Sequence, residues 1–325
     1  MKARNIHAWL AIFVVTALLL SVRSQAAQKE LQKLTVGYTP ISGASIPLFI
    51  ALEEKLFHKY GYDVSGIFMG GSPLINSAIL AGEFPLGYTG GGAIISSRLA
   101  GSDLIAIASP LQVLTIDGWA RQEIKSIADL RGKRVGVTRF GASTYFAALS
   151  MLESAGVKPG EVTFIQNGGV GESFAALTGG RVDVCMIGYP YGLRAKNAGF
   201  HLLFRPLTTD YGLFPTAAIA ARDSWLKDAR NRKVAVDFLR ALGEGVMLAR
   251  ENAAVTKKAL RKFTRVNDEA DLQGSYDFYK DAFPRTLRVD EKAMANALKF
   301  VEHPKAKGAD VKQFYDNSLV EEAAK

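Results

Sequence analysis

Cysteine and histidine are scarce in this sequence, which has one cysteine, Cys185, and four histidines among its 325 residues. A single cysteine cannot form an intrachain disulfide, so the fold must rest on its hydrophobic core. None of the histidines has a metal-ligand partner at helical spacing, and the sequence contains no zinc-binding, phosphate-binding or nucleophile-elbow motif. We therefore predict no catalytic residues, no metal site and no cofactor.

Long apolar runs are missing as well, apart from one near the N-terminus. Leu10–Val22 is apolar but shorter than the roughly 20 residues of a membrane-spanning helix. It follows the basic residues Lys2 and Arg4 and leads to Ala26, an order typical of a secretory signal peptide. We expect residues 1–26 to be cleaved off; an uncut N-terminal anchor is the alternative. No cysteine follows the predicted cleavage site to carry a lipid, and a freely diffusing protein is retained only by an outer membrane, so we predict a periplasmic protein.

Dense clusters of one charge are also absent. The formal net charge is +9 at pH 7, and three of the positive charges, Lys2, Arg4 and Arg23, belong to the predicted signal peptide. The remaining basic residues lie in short groups mixed with acids, which is typical of a solvated surface. A nucleic-acid-binding stripe would need denser clustering with aromatic residues between the charges. We predict no nucleic-acid partner.

Short runs rich in Val and Ile alternate with longer amphipathic segments, which predicts an α/β fold of parallel sheets covered by helices. Cys185 lies in one of these runs and is expected to be a buried structural thiol. The predicted strands fall into two series, namely Leu34–Tyr38, Val64–Met69, Phe84–Tyr88 and Leu104–Ala108, and then Arg134–Thr138, Val162–Gln166, Asp183–Ile187 and Leu202–Phe204.

The two series resemble each other. Val36–Ser45 can be laid over Val135–Ser143, and Leu80–Phe84 over Leu177–Val182 at nearly the same offset. Agreement in order and offset predicts two similar α/β lobes. From about residue 223 the pattern is helical, and these helices are expected to cover an existing sheet. Crossings at 120–126 and 205–215 would make a hinge, so we predict lobe 1 at 27–119 and 213–325 and lobe 2 at 120–212.

Loops that follow parallel strands gather at one edge of a sheet, so residues after the predicted strands are the candidate site. Ser42, Ser45, Thr89, Ser143 and Thr144 can donate hydrogen bonds, and the glycines from Gly90 onward expose backbone N–H groups. Arg139 could pair with an anion or be a surface charge, and the Ser and Thr residues could instead be helix caps. Aromatic walls are predicted from Tyr88, Phe140, Tyr145, Tyr189 and Tyr191.

Several of these segments resemble the substrate-binding proteins of ABC importers of the nitrate, sulfonate and taurine type. The resemblance lies in Val36–Tyr38, Pro47–Ala51, Lys55–Gly61, Leu80–Phe84, Ile127–Val137 and Phe214–Thr216. It implies the type II periplasmic binding protein fold, in which two α/β lobes with a hinge enclose a ligand cleft and the C-terminal helices pack on lobe 1. The ligand-binding residues that the resemblance and the loops together indicate are Ser42, Gly43, Ser45, Gly70, Gly71, Thr89, Gly90, Arg139, Phe140, Ser143, Thr144 and Tyr189.

The resemblance implies a monomeric receptor that captures a small molecule by hinge closure and delivers it to an ABC permease and ATPase in the inner membrane. An anionic and an aromatic ligand both remain open. One alternative is a thiamine-pyrimidine-synthase-like enzyme, which shares the scaffold; the lone Cys185 and the export signal argue against it. Another is a binding protein that serves a chemoreceptor or a different permease.

Overall fold

The structure is a computed structural model that describes residues 30–325, of which 33–325 form one compact unit. The predicted signal peptide, 1–26, lies outside the described residues. The strands are β1 (Gln32–Tyr38), β2 (Tyr62–Phe68), β3 (Leu86–Thr89), β4 (Leu104–Val113), β5 (Asp117–Ala120), β6 (Arg134–Val137), β7 (Thr163–Gln166), β8 (Val184–Ile187), β9 (His201–Phe204) and β10 (Leu213–Arg222). Each of the eight predicted strands overlaps one of these.

Helices connect and cover the strands. They are α1 (Ile46–Glu53), α2 (Ser72–Ala81), α3 (Gly91–Leu99), α4 (Ser143–Glu153), α5 (Val170–Thr178), α6 (Tyr191–Asn197), α7 (Asp223–Leu226), α8 (Ala229–Glu251), α9 (Ala253–Thr264), α10 (Glu269–Tyr279), α11 (Glu291–Lys299) and α12 (Ser318–Ala323). Short 3₁₀ turns lie at Gly43–Ser45, Leu56–Tyr60, Ile127–Leu130, Pro159–Glu161, Pro206–Thr208 and Val311–Phe314. None of the helices within 30–325 is long and apolar enough to cross a membrane.

Two five-stranded sheets form the frame of the molecule. The first sheet has the order β2-β1-β3-β10-β4, and the second has the order β7-β6-β8-β5-β9. When β1–β4 are matched to β6–β9, the two orders are the same, with β10 and β5 in equivalent places. The internal repeat predicted from the sequence is therefore confirmed as two similar α/β sheets.

Both sheets are mixed, which corrects the prediction of parallel sheets. β10 runs antiparallel to β3 and β4, and β5 runs antiparallel to β8 and β9. These are the two strands that the sequence analysis missed. β5, Asp117–Ala120, contains no Val or Ile, and the centre of β10, Ala217–Ala221, consists mostly of alanine, which has a low strand propensity.

The chain passes between the sheets at two places. β4 ends at Val113 and β5 begins at Asp117, so the first passage is 114–116. The prediction of a crossing at 120–126 is wrong, because Ala120 already pairs within the second sheet. The return passage, between β9 and β10, falls within the predicted 205–215. The division into two lobes stays a prediction.

The helices after residue 223 cover the first sheet. α8 buries Val234, Phe238 and Leu242 along one face, as their four-residue spacing predicts. Phe49 of α1 stacks on Phe263 of α9 with ring centroids 4.3 Å apart. α10 also contacts α6, a helix that belongs to the second sheet. The C-terminal helices therefore reach the region where the two sheets face each other.

Candidate functional site

A cavity lies where the loops of the two sheets meet. The four loops that the sequence analysis assigned to one cleft, those after β1, β3, β6 and β8, all contribute to it. The residues that line the cavity are Thr39, Pro40, Ser42, Ala44, Gly71, Ser72, Gly90, Ile116, Thr138, Ala142, Ser143, Thr144, Val170, Gly188, Thr216 and Tyr279.

The cavity is small, with a volume of about 30 Å³. A buried water needs roughly 10–15 Å³ on the same scale, so the space admits a group of only a few non-hydrogen atoms. A larger molecule could enter only if the loops on the two sides moved apart. The cavity therefore fits the polar head of a small molecule better than an extended ligand.

Hydroxyl groups dominate the polar part of the lining. Five of the hydroxyl-bearing residues come from the first sheet and its helices, and three follow β6. Within the described residues, the lining contains no acidic or basic side chain, no histidine and no cysteine. The hydroxyl-bearing residues are Thr39, Ser42, Ser72, Thr216 and Tyr279, and then Thr138, Ser143 and Thr144.

Four helices begin at the cavity without a side-chain cap. The N-cap residues of α2, α3, α4 and α5 are Gly71, Gly90, Ala142 and Gly169. Glycine and alanine have no side-chain oxygen that could accept a hydrogen bond from a helix N–H. Helices α8 to α11, by contrast, are capped by the side chains of Asp228, Asn252, Asp268 and Asp290. An uncapped N-terminus presents free N–H donors and the positive end of the helix dipole. At α5 the carboxylate of Glu172 in the first turn already lies beside Gly169. The starts of α2, α3 and α4 therefore favour a hydrogen-bond acceptor, and above all an anion, in the cavity.

Two hydroxyl groups on α4 are already hydrogen-bonded, one to strand β10 and the other to the loop after β6. Ser143 Oγ donates to the carbonyl oxygen of Thr216 at 3.1 Å. Thr144 Oγ1 accepts from the backbone N–H of Thr138 at 3.0 Å and also bonds the Thr138 hydroxyl at 2.7 Å. These bonds fix the start of α4 against β10 and against the end of β6. The N–H groups at the start of α4 are thereby held in place at the cavity.

Tyr279 is a lining residue that the sequence analysis missed. It is the last residue of α10, in a region predicted only as helical cover. Its side chain is buried, and its hydroxyl has no hydrogen-bond partner within residues 30–325. Helical periodicity could mark this face as buried but could not show that it meets a cavity. The sequence alone gives no signal that separates Tyr279 from the core aromatics beside it.

The structure brings some of the predicted ligand-binding residues into the lining and leaves others beside it. Those in the lining are Ser42, Gly71, Gly90, Ser143 and Thr144. Their role as ligand contacts stays a prediction.

Arg139 and Gly70 contact each other instead of lining the cavity. The Nε atom of Arg139 donates to the carbonyl oxygen of Gly70 at 2.9 Å, so the side chain joins the loop after β6 to the loop after β2. The neighbouring Phe140 is 46% exposed and packs edge-to-face on Tyr145, with ring centroids 5.2 Å apart. The expectations that Arg139 pairs with an anion and that Phe140 forms a wall do not match this placement.

Three predicted ligand-binding residues instead form hydrogen bonds that fix the loops of the first sheet, namely Gly43, Ser45 and Thr89. The backbone N–H of Gly43 donates to the carbonyl oxygen of Tyr189 at 2.8 Å, a bond that reaches the second sheet. Ser45 Oγ donates to a carbonyl oxygen of its own loop at 2.7 Å. Thr89 Oγ1 donates to Asn76 at 3.2 Å. These residues lie outside the lining and stabilise the loops that carry the lining residues.

Tyr189, which was predicted to form an aromatic wall of the cleft, is hydrogen-bonded to a partly buried ion pair. Arg205 Nη2 donates to the Tyr189 hydroxyl at 2.9 Å and to Asp117 Oδ2 at 2.8 Å. Burial raises the pKa of Asp117, and the hydrogen bonds from Arg205 oppose that rise without cancelling it. The ring of Tyr189 packs on Phe278, with centroids 4.3 Å apart. The remaining aromatic candidates, Tyr88, Tyr145 and Tyr191, also lie outside the lining.

The cysteine and the described histidines lie away from the cavity. Cys185 is buried on β8, and burial raises the pKa of its thiol, so the thiol stays protonated. His58 contacts Asp63 at 3.3 Å on the surface. No group of three or more His, Cys, Asp or Glu side chains in the described part of the chain could hold a metal ion. The lining supplies hydrogen-bond donors and an apolar surface.

Known proteins share both sequence and fold with this chain. Residues 43–254 match the sequence family described as NMT1/THI5 like. A protein of Brucella abortus (strain 2308) is 29% identical over 179 residues, which are 55% of this chain and 54% of the relative. The chain thus spans about half the length of the curated relatives it matches.

Two solved structures show the same architecture over nearly the whole chain. The periplasmic aliphatic sulphonate binding protein SsuA from Escherichia coli is 23% identical and superposes with a TM-score of 0.68, covering 89% of this chain and 99% of its own. The periplasmic nitrate-binding protein NrtA from Synechocystis PCC 6803 is 16% identical with a TM-score of 0.73, covering 91% and 89%. The chain has the periplasmic binding protein fold and belongs to the NMT1/THI5-like family.

Proposed function

We propose that this protein is the periplasmic solute-binding component of an ABC importer and that it captures a small anion for a membrane permease. The observation that supports this most strongly is the set of three uncapped helix N-termini around one cavity, those of α2, α3 and α4. The names of two proteins with this fold agree with it, since one states aliphatic sulphonate binding and the other nitrate binding.

The lining favours an anion over an aromatic body. Each helix N-terminus stabilises a nearby negative charge by about 0.3–1 kcal/mol when exposed and by up to about 2 kcal/mol when partly buried. Three such ends, those of α2, α3 and α4, attract an anion without a basic side chain in the lining. The volume of about 30 Å³ leaves no space for an aromatic ring in the present arrangement. The aromatic side chains predicted as walls lie elsewhere.

Hydrogen bonds between the first-sheet side and the second-sheet side of the cavity support the proposal that the two sides close on the ligand. Three hydrogen bonds close to the cavity link the first-sheet side to the second-sheet side. They run from Gly43 N to Tyr189 O at 2.8 Å, from Ser143 Oγ to Thr216 O at 3.1 Å and from Arg139 Nε to Gly70 O at 2.9 Å. A ligand that binds only when these bonds are formed shifts the protein toward the closed arrangement by mass action.

A thermal-shift screen of the purified chain tests this proposal. The panel is nitrate, methanesulfonate, longer alkanesulfonates, benzoate and a pyrimidine, each compared with chloride at the same ionic strength. Ligand at about 100 times its dissociation constant adds roughly 2.7 kcal/mol of stability, which raises the melting temperature by several degrees. We expect at least one small anion to give this rise. No rise with any anion of the panel, or a rise with the pyrimidine alone, contradicts the proposal.

We further propose that the site binds without covalent chemistry. The described lining consists of hydroxyls, glycines and small apolar side chains, and the protonated thiol of Cys185 lies outside it. The competing hypothesis is an enzyme that forms the thiamine pyrimidine. Incubation with iron and the pyridoxal cofactor, followed by mass spectrometry, discriminates between the two, since a pyrimidine product requires the enzyme.

The location and partners belong to the same proposal. We expect cleavage after Ala26, a monomer in the periplasm, and delivery to a permease with its ATPase in the inner membrane. N-terminal mass analysis of the periplasmic fraction checks the cleavage, and light scattering checks the monomer. Transport that persists after deletion of the permease would favour a chemoreceptor or another carrier as the partner.

A further inference from the structure

Tyr279 lies between the two sets of loops that enclose the cavity. On the first-sheet side its ring packs on Gly43, where a methyl group would stand 2.0 Å from the Cε2 atom. On the second-sheet side its hydroxyl faces Gly188, where a methyl group would stand 2.8 Å from the oxygen. Glycine at both positions lets the ring reach this place. The hydroxyl therefore lies beside Gly188, and both Gly188 and Tyr279 belong to the lining.

The Tyr279 hydroxyl is fully buried and has no hydrogen-bond partner among the described residues. The hydroxyls of two other tyrosines are paired: Tyr88 donates to Ala44 O at 2.6 Å, and Tyr276 donates to Arg250 O at 3.1 Å. A buried hydroxyl without a partner is costly, and native proteins keep one where a water or a ligand completes it. Of the polar side chains in the lining, only Tyr279 shows such an orphaned atom in residues 30–325.

The chemistry of this hydroxyl is that of a neutral donor. Burial raises the pKa of Tyr279, so the phenol keeps its proton. The Thr115 side chain and the Tyr189 backbone lie close enough to reduce that rise, but neither forms a hydrogen bond of good geometry with the oxygen. An oxygen of a molecule in the cavity would give the Tyr279 proton an acceptor that neither neighbour supplies in this arrangement.

We infer that the Tyr279 hydroxyl determines specificity by donating a hydrogen bond to an oxygen of the small anion held in the cavity. This inference rests on the proposed function and adds a contact from the C-terminal helices to a site otherwise built from strand-following loops. Helix N-termini attract any small anion, whereas one fixed hydroxyl selects an anion with an oxygen at that position. A site that hydrogen-bonds its ligand in this way discriminates strongly against analogues that lack the matching atom.

The test compares Tyr279→Phe with Tyr276→Phe, which makes the same chemical change three residues earlier on α10. Each variant and the wild type are titrated calorimetrically with nitrate, methanesulfonate and benzoate, and each is unfolded without ligand. We expect Tyr279→Phe to weaken binding of the oxyanions roughly 10- to 100-fold while its melting temperature equals or exceeds that of the wild type. Tyr276→Phe should lose stability, because its hydroxyl has a protein partner, and should keep its affinity.

The outcomes separate this inference from the proposed function. Wild-type binding that survives unchanged in Tyr279→Phe overturns the inference alone. A loss of stability in Tyr279→Phe equal to that in Tyr276→Phe also overturns it, because the hydroxyl then has a partner within the protein. A wild-type chain that binds none of the three anions contradicts the proposed function and this inference together.

Discussion

The Nε atom of Arg139 lies 2.9 Å from the carbonyl oxygen of Gly70, on the opposite side of the cavity. The bond joins the loop after β6 to the loop after β2 without entering the lining. Its geometry makes Arg139 part of the contact between the two sides. The guanidinium therefore stabilises the present arrangement of the two loops whatever the cavity contains.

Replacing Arg139 by Ala should lower the binding affinity for every ligand by a similar factor. A hydrogen bond from a charged group contributes about 1.5–3 kcal/mol, so we expect roughly a tenfold loss or more, with the order of preference among the anions unchanged. Calorimetric titration of the panel measures both quantities. Arg131→Ala is the matched control, since Arg131 pairs with Glu161 on the surface at 3.0 Å. A loss confined to anions, with neutral compounds unaffected, would instead make Arg139 a ligand contact.

Replacing Gly188 by Ala should abolish binding. The added methyl group would stand 2.8 Å from the Tyr279 oxygen and 3.3 Å from the Thr115 carbonyl oxygen, in space that borders the cavity. Overpacking of this kind costs about 1–3 kcal/mol of stability, so the variant should still fold. Thermal shifts with and without ligand measure both effects. Gly160→Ala, at a position with open space around it, should match the wild type; full binding by Gly188→Ala would contradict the assigned cavity.

Replacing Thr144 by Ala should lower the stability of the unliganded protein. Thr144 Oγ1 accepts from the buried backbone N–H of Thr138, and removal of that acceptor leaves the N–H unsatisfied at a cost of about 1–3 kcal/mol. Thr144→Ser keeps the oxygen and should recover most of the loss. Urea unfolding without ligand is the measurement. Equal stability of the Ala variant and the wild type would show that the Thr138 N–H has another partner.

Asp183 should make the stability depend on pH in the acid range. Hydrogen bonds from Arg134, the shortest 2.6 Å long, hold the pKa of Asp183 below its usual value. Because the unfolded pKa is about 3.9, the stabilisation is complete above that pH and is lost as the pH falls through the lower folded pKa.

The variant Asp183→Asn tests whether the stabilisation by Asp183 is lost as the pH falls. We expect it to be less stable than the wild type by about 1–2 kcal/mol at pH 7, with the difference shrinking below about pH 4. Urea unfolding across this range gives the curve, and Asp281→Asn, at an exposed position, serves as the control. A difference that stays constant with pH would contradict the ionic role of Asp183.

Much of the frame could be predicted from the sequence. Runs such as Val184–Ile187 are apolar throughout because helices cover both faces of a central strand, and this pattern is visible in one sequence. The repeat of Val36–Ser45 in Val135–Ser143 correctly indicated two similar sheets. The strands that were missed are the antiparallel ones. β5 contains no Val or Ile, the residues on which the strand prediction depended, and the alanines of β10 do not favour strand structure.

The candidate site was predictable in position but not in detail. Topology places the loops after β1, β3, β6 and β8 together, and this rule found Ser42, Gly90 and Ser143. It could not tell which side chains face inward, because that depends on side-chain rotamers and on partners such as Gly70 for Arg139. It could not find Tyr279 either, since α10 reaches the cavity through packing that only the folded chain reveals.

Direct calorimetric titration with matched anions and neutral analogues tests the central claim that uncapped helix N-termini capture a small anion in this cavity. Suitable pairs are methanesulfonate with methanesulfonamide and acetate with acetamide, at constant ionic strength, alongside nitrate. The account predicts saturable one-to-one binding of at least one anion and at least tenfold weaker binding of its neutral counterpart. Equal affinity for the anion and its neutral counterpart, or no binding of any anion, would contradict it.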